Sequence, residues 1–162
     1  MKAPRFAYAR PASLAEALAL LAEHKGDARV LAGGQSLVPM MNFRVAAPKV
    51  LVDINRIAGL SGIKVAKNHV RIGALTRQVD LERSADIARH LPLIAAAMPH
   101  VAHPAIRNRG TFDGSCALAD PAAELPAWAR ALGAMFVIAG KKGERRIAAG
   151  RSEEHTSELQ SQ

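Results

Sequence analysis

Leu31-Ala32-Gly33-Gly34-Gln35-Ser36 closes a short β candidate, Ala28–Leu31, and opens a candidate helix, Leu37–Phe43. Where a strand gives way to paired glycines and then to a helix start, backbone rather than side chain meets whatever lies opposite. Glycine lacks the Cβ that would obstruct such an approach, and it tolerates positive φ. Free amides at the helix start, together with the Ser36 hydroxyl, are donors suited to phosphate oxygens. A Gly-Gly turn between strand and helix is nevertheless more often structural than phosphate-binding. The hexapeptide alone leaves both readings open.

Working outward, Phe6–Ala9 is a short extended candidate before Pro11. Ser13-Leu-Ala-Glu16 has the pattern of a capping box, in which hydroxyl and carboxylate satisfy first-turn amides. Leu14, Leu18 and Leu21 give a helical stripe that runs to His24 and stops at Gly26. Val50–Asp53 reads as a buried strand. The first fifty or so residues therefore alternate β-α-β-α-β. A change of pattern near Ile57–Leu60 divides the chain into residues 1–57 and 58–150, both α+β.

In the second part, 62–66 and 69–73 flank Lys67-Asn68 as a hairpin. Thr76 is placed to cap a helix running through Leu81 to Arg89, and Pro92–Met98 forms another. Glu124–Leu132 is helical, with Leu125, Trp128 and Leu132 as its core face. Residues 134–139 and 145–148 pair across Gly140-Lys-Lys-Gly143.

A second constellation lies about seventy-five residues after the first: Ile106-Arg-Asn-Arg-Gly-Thr-Phe-Asp-Gly-Ser115, then Ala119-Asp-Pro-Ala-Ala-Glu-Leu-Pro126. Thr111 and Ser115 place hydroxyls around Gly114, an arrangement suited to close approach by a polar ligand. Asp120 and Glu124 lie four apart, so a helical turn would put both carboxylates on one face, where they can accept hydrogen bonds from sugar hydroxyls. The plainer reading is a glycine turn followed by a helix starting at Pro121, its N-terminus stabilised by acidic residues. Taken alone, that plainer reading is favoured.

Together the two constellations are more specific. AGGxS after a strand, then RNxGTxxGS and ADPAAELP, resembles the FAD-binding domain of molybdenum hydroxylase flavoproteins of the carbon monoxide dehydrogenase and xanthine dehydrogenase type. FAYARPASLAEALALLAEH and VLVDINRIAGLSGI also fit, so the resemblance covers nearly all of residues 5–148. It implies a truncated two-subdomain FAD-binding fold of the PCMH (vanillyl-alcohol oxidase-like) type. It implies that Ala32, Gly33, Gly34, Gln35 and Ser36, with Thr111, Gly114 and Ser115, sandwich the pyrophosphate and ribityl chain of FAD. Glu124 falls where relatives place an acidic FAD ligand, and Asp120 is a lesser candidate. At one position the chain departs: the family usually has two adjacent glycines after Thr-x, and here the first is Asp113. A carboxylate there repels a pyrophosphate unless it is turned to solvent or paired with Arg107 or Arg109.

By the same resemblance the partners are a molybdopterin-binding large subunit and an iron–sulfur small subunit. The sequence is consistent with that division, since the single Cys116 cannot hold a cluster. Another flavoprotein of the same superfamily, such as a cell-wall precursor reductase, is the nearer alternative; a basic binding module without a cofactor is the more distant one. The formal charge of +8 invites a nucleic-acid partner, but Lys and Arg are scattered and only four Phe, one Trp and one Tyr are present for stacking. No apolar run reaches the ~20 residues of a membrane span, and a cytoplasmic protein is expected. His100 and His103 lack a third metal ligand, so no metal is expected. Cys116 has no partner base and Met40-Met41 reads as packing. No residue is a convincing acid or base for catalysis.

Residues 151–162, RSEEHTSELQSQ, lose the apolar pattern abruptly. Through Ser161 they match, in one reading frame, the translation of a common sequencing-library adapter. This segment is expected to be artefactual and the native chain to run on differently after Gly150. Resequencing the locus should show other codons after Gly150; a native gene encoding RSEEHTSELQSQ and then a stop would refute the expectation.

Overall fold

The computed structural model describes residues 2–151. Beyond Arg151, the adapter-like segment lies outside the described residues.

Three short strands, β1 (Ala7–Ala9), β2 (Ala28–Leu31) and β3 (Val50–Asp53), form a parallel sheet in the order β1-β3-β2. Val50-Leu-Val-Asp is buried along its whole length, as expected of a central parallel strand. Its register aligns Val50 with Ala7 on one side and with Ala28 on the other. Helix α1 (Leu14–His24) joins β1 to β2 and packs on β2 and β3. Its Ser13 Oγ accepts from the Glu16 amide at 3.2 Å, while the Glu16 carboxylate accepts from the Ala12 amide rather than from that of Ser13. The helix ends at His24 as expected, but Lys25, not Gly26, takes the positive φ of 43°. Ala17, Ala28, Val50, Val52 and Ile57 form the core here. Helix α2 (Leu37–Asn42) leads from the Gly-rich loop back toward β3 and buries Met41.

The second half begins with an antiparallel hairpin, β4 (Ile63–Val65) and β5 (Val70–Ile72). Helices α3 (Gln78–Arg83), α4 (Ala85–His90), α5 (Pro92–Ala97), α6 (Pro104–Arg107), α7 (Phe112–Leu118) and α8 (Glu124–Ala131) follow. A last hairpin pairs β6 (Met135–Gly140) with β7 (Gly143–Ala148). Leu81, Ile87, Ile94, Met98, Phe112 and Leu125 form a separate core, against which Ile63, Val70, Trp128 and Phe136 pack. On α8, Leu125 is buried and Trp128 partly so, but Leu132 is exposed.

Three expectations are corrected. Thr76 does not cap a helix: it is buried, and its hydroxyl both accepts from the Gly62 amide and donates to the Gly62 carbonyl, at 3.0 Å each. Arg77 flanks α3 instead, its own amide donating to the Asp80 carboxylate. The stretch through Arg89 is not one helix, because Ser84 turns extended (ψ 121°) and caps a new helix through Oγ to the Ile87 amide. Asp120 and Glu124 do not share a helical turn either. Ala119 adopts a left-handed conformation that ends α7, Asp120 accepts from the Ala122 amide at 2.9 Å, and α8 starts only at Glu124.

Arg107 is buried and binds Glu82 through two nitrogens, Nε–Oε2 at 2.8 Å and Nη2–Oε1 at 3.3 Å. Its Nη1 also donates to the carbonyls of Val101 and Ala102. Removing the guanidinium orphans a carboxylate and two carbonyls at once. Arg107→Ala should therefore cost about 3 kcal/mol of unfolding free energy, read as a lower denaturant midpoint; a change within error would show the network to be dispensable.

Candidate functional site

The Gly-rich loop leaves the carboxyl end of β2, the edge at which open parallel sheets bind ligands. Gly34 adopts φ 71°, a value at which side chains are disfavoured. Gly33 is constrained differently. A Cβ built there would lie 2.4 Å from the carbonyl oxygen of Arg109 and 2.9 Å from the Cα of Gly110. Backbone of the second constellation thus occupies the space that a side chain at Gly33 would need, and the two motifs meet.

The turn opposite is held from behind. The Gln78 amide donates to the Gly110 carbonyl at 2.9 Å, and the Phe112 amide donates to the Thr76 carbonyl at 3.3 Å. The buried Gln78 side chain ends 2.9 Å from where a Cβ on Gly110 would be, so a side chain there would have to displace it.

Between the motifs opens a cleft of about 560 Å³ lined by Ala32, Gly33, Gly34, Gln35, Asp53, Asn55, Arg77 and Arg109, with Leu31, Val38 and Pro39 as its apolar wall. Asn55 donates to the Ala32 carbonyl at 2.8 Å and to Asp53 Oδ1 at 2.6 Å. Burial would raise the Asp53 carboxyl. Hydrogen bonds from the Tyr8 hydroxyl and from the Asn55 amide and side chain, with the positive charge of Arg10, outweigh it and hold the group below its ordinary range. Asp53 is therefore a fixed anionic acceptor, while Arg77 and Arg109 bring positive charge to the same cleft.

Of the sequence-expected residues, Ala32, Gly33, Gly34 and Gln35 line this cleft. The Gln35 side chain folds back, donating to the Gly33 carbonyl at 3.0 Å. Ser36, Thr111, Gly114, Ser115, Asp120 and Glu124 are not among its lining residues. Ser36 is exposed and its hydroxyl does not cap α2. Thr111 is buried, with Oγ1 accepting from the Gly114 amide at 3.1 Å. Gly114 and Ser115 sit inside α7, and Asp120 and Glu124 are exposed beyond it. Asp53, Asn55, Arg77 and Arg109 were not foreseen as lining residues. The signal for the first two was present, since Asp53-Ile-Asn55 puts polar side chains at the carboxyl end of a buried strand. No local pattern marks Arg77.

A family model for the FAD binding domain in molybdopterin dehydrogenase matches residues 4–156. The chain belongs to this FAD-binding family. The domain is 49% identical over 147 residues to the 6-hydroxypseudooxynicotine dehydrogenase complex subunit alpha of Paenarthrobacter nicotinovorans, covering 91% of this chain and 50% of that protein. It is 46% identical to the carbon monoxide dehydrogenase medium chain of Hydrogenophaga pseudoflava, covering 90% of this chain and 51% of the relative. The solved carbon monoxide dehydrogenase from H. pseudoflava lacking the Mo-pyranopterin moiety superimposes with a TM-score of 0.91 at 46% identity, covering 93% of this chain and 52% of that one. The chain spans about half the length of the curated relatives it matches. FAD is the cofactor of the family, and the cleft suits it chemically: bare glycine backbone and two guanidinium groups suit a pyrophosphate, and a fixed carboxylate suits hydroxyl donors.

Asp113, in the first turn of α7, has neither of the arrangements expected of it. Arg107 is committed to Glu82, and among the described residues no ion pair holds Asp113. Its side chain is half-buried, and that burial pushes its carboxyl up to about 6. Asp113 also helps burial push the Cys116 thiol up to about 12. Because the folded value exceeds the unfolded value of 3.8, the contribution to stability is full below pH 3.8 and is lost as pH rises through 6. Asp113→Asn should accordingly stabilise the domain above pH 6 by about 1–2 kcal/mol, discounted for partial exposure. It should also flatten the dependence of melting temperature on pH between 4 and 6. An unchanged profile would show that the carboxylate is solvated.

Proposed function

We propose that this chain is the FAD-binding portion of the flavoprotein subunit of a cytoplasmic molybdenum-dependent hydroxylase. The whole enzyme would carry electrons from iron–sulfur clusters on a small subunit, fed by a molybdopterin-binding large subunit, through FAD to an acceptor. The observation that carries this reading is the meeting of Gly33 with the Arg109–Gly110 backbone at the mouth of a charged cleft. Residues 1–57 and 58–150 are proposed as the two subdomains, with the cleft between their motifs.

Bound there, FAD supplies the exchange of electrons between one-electron clusters and a terminal acceptor. The chain's own residues bind and orient it. Ala32–Ser36 present backbone amides to the pyrophosphate, while Arg77 and Arg109 offset its charge. Thr111 shapes the second loop by capping α7, and Gly114 and Ser115 keep that helix start slender. Asp53 accepts hydrogen bonds from hydroxyl groups, a role also proposed for Glu124 and Asp120 with the ribityl or ribose portions. No side chain in the cleft is needed as a proton donor or acceptor.

The test is flavin content. The full-length subunit should purify with a flavin absorbance band and close to one FAD per chain. Gly33→Ala should release most of it, because a methyl group 2.4 Å from the Arg109 carbonyl must force the loops apart. A colourless subunit that fails to take up FAD on titration would overturn the reading. Undiminished FAD in Gly33→Ala would remove this contact from the site.

A further inference from the structure

Arg77 reaches both motifs. Its Nη2 donates to Asn55 Oδ1 at 2.6 Å, and its Nη1 donates to the carbonyl oxygen of Arg109. Asn55 in turn donates to the Ala32 carbonyl at 2.8 Å and lies 3.3 Å from that of Leu31. The Arg109 carbonyl is the same atom that a Gly33 Cβ would meet. One guanidinium therefore ties the carbonyls at the start of the Gly-rich loop, by way of Asn55, to the turn that closes over Gly33. Its backbone is anchored as well: Arg77 bridges to Thr111, and the next residue binds the Gly110 carbonyl.

We propose that Arg77 is a positioning residue that sets the width of the cofactor cleft by joining the Leu31–Ser36 loop to the Arg109–Gly110 turn. The planar fork suits two acceptors on different segments, whereas a lysine ammonium is a single point on a flexible stem. Both acceptors are neutral, and among the described residues no ion pair cancels the charge of Arg77, a lining residue of the cleft. The inference rests on the FAD reading above, and its test has a part that does not use FAD.

Arg77→Lys and Arg77→Gln are made in the full-length subunit, with far-UV circular dichroism to verify folding. FAD affinity is read by flavin fluorescence. Amide hydrogen exchange of the flavin-free protein is read at residues 31–36 and 108–111. Both variants should bind FAD roughly 10- to 100-fold more weakly, as expected for a lost hydrogen bond from a charged group. Exchange should quicken in both segments and remain unchanged in α1 and in the β6–β7 hairpin. Asn55→Ala should weaken FAD similarly and add little to Arg77→Gln, since the two residues act in one chain. Arg77→Lys keeps the charge but not the fork, so it carries the test if Arg77→Gln does not fold. Wild-type affinity and exchange in Arg77→Lys would overturn the proposal. So would weakened FAD with unchanged exchange, which would make Arg77 a charge and not a tie. A wild-type subunit that takes up no flavin would refute the FAD reading, and exchange in the two segments would still decide the role of Arg77.

Discussion

The close approach of Gly33 to the Arg109 carbonyl fixes how the two glycine-containing motifs meet. No side chain fits at Gly33 while the second loop keeps its place. Everything behind that loop serves to keep it there: the Gln78 amide on the Gly110 carbonyl, the Gln78 side chain filling the space beside Gly110, and Thr76 binding the hairpin entry through Gly62. Two cores that share no residue, one on the parallel sheet and one among the helices, are thus coupled where backbone meets backbone. Close packing in protein interiors transmits such constraints with little slack.

The charge distribution follows from the same geometry. A loop that offers only amides to a ligand has directional donors but little net charge. Arg77 and Arg109 supply it from the opposite wall. Asp53 would weaken that field, but its carboxylate is surrounded by the Tyr8 hydroxyl, Asn55 and, at 3.9 Å, Arg10. It is held ionised by its neighbours and serves the cleft as an acceptor with fixed orientation.

Much of this was legible in the residues. The parallel β-α-β-α-β half was readable because Val50–Asp53 is apolar throughout, Ser13 and Glu16 mark a helix start, and paired glycines mark the loop. Both hairpins were readable from their turn residues. The helical half was less so. Thr76 looks like a cap in sequence, yet a hydroxyl close to Gly62 finds a stronger use pairing a distant turn. Ser84 is polar and short, like many mid-helix residues, yet its backbone turns extended and its hydroxyl caps the next helix. Helices α6 and α7 were missed because glycines at 110 and 114 suggest loop. Gly110 does lie in the turn between them, whereas Gly114 tolerates the Thr111 cap within α7. In the site, residues adjacent in sequence to a strand end were traceable, while Arg77 was not, because its partners lie 22 and 32 positions away.

Asp113 shows why a motif's outline can survive a change at one of its positions. Glycine is indispensable where another backbone presses on the position, as at Gly33, and favoured where φ is positive, as at Gly34. Asp113 meets neither condition: it lies in the first turn of α7 with ordinary helical backbone, where a carboxylate even complements the helix dipole. Its disadvantage is burial with no ion-pair partner among the described residues, and burial pushes its carboxyl up to about 6. That is a cost in stability, not an obstruction of the cleft, whose lining residues do not include Asp113. The departure from the family pattern therefore falls on the helix that supports the second loop and leaves the backbone contact between the two motifs intact.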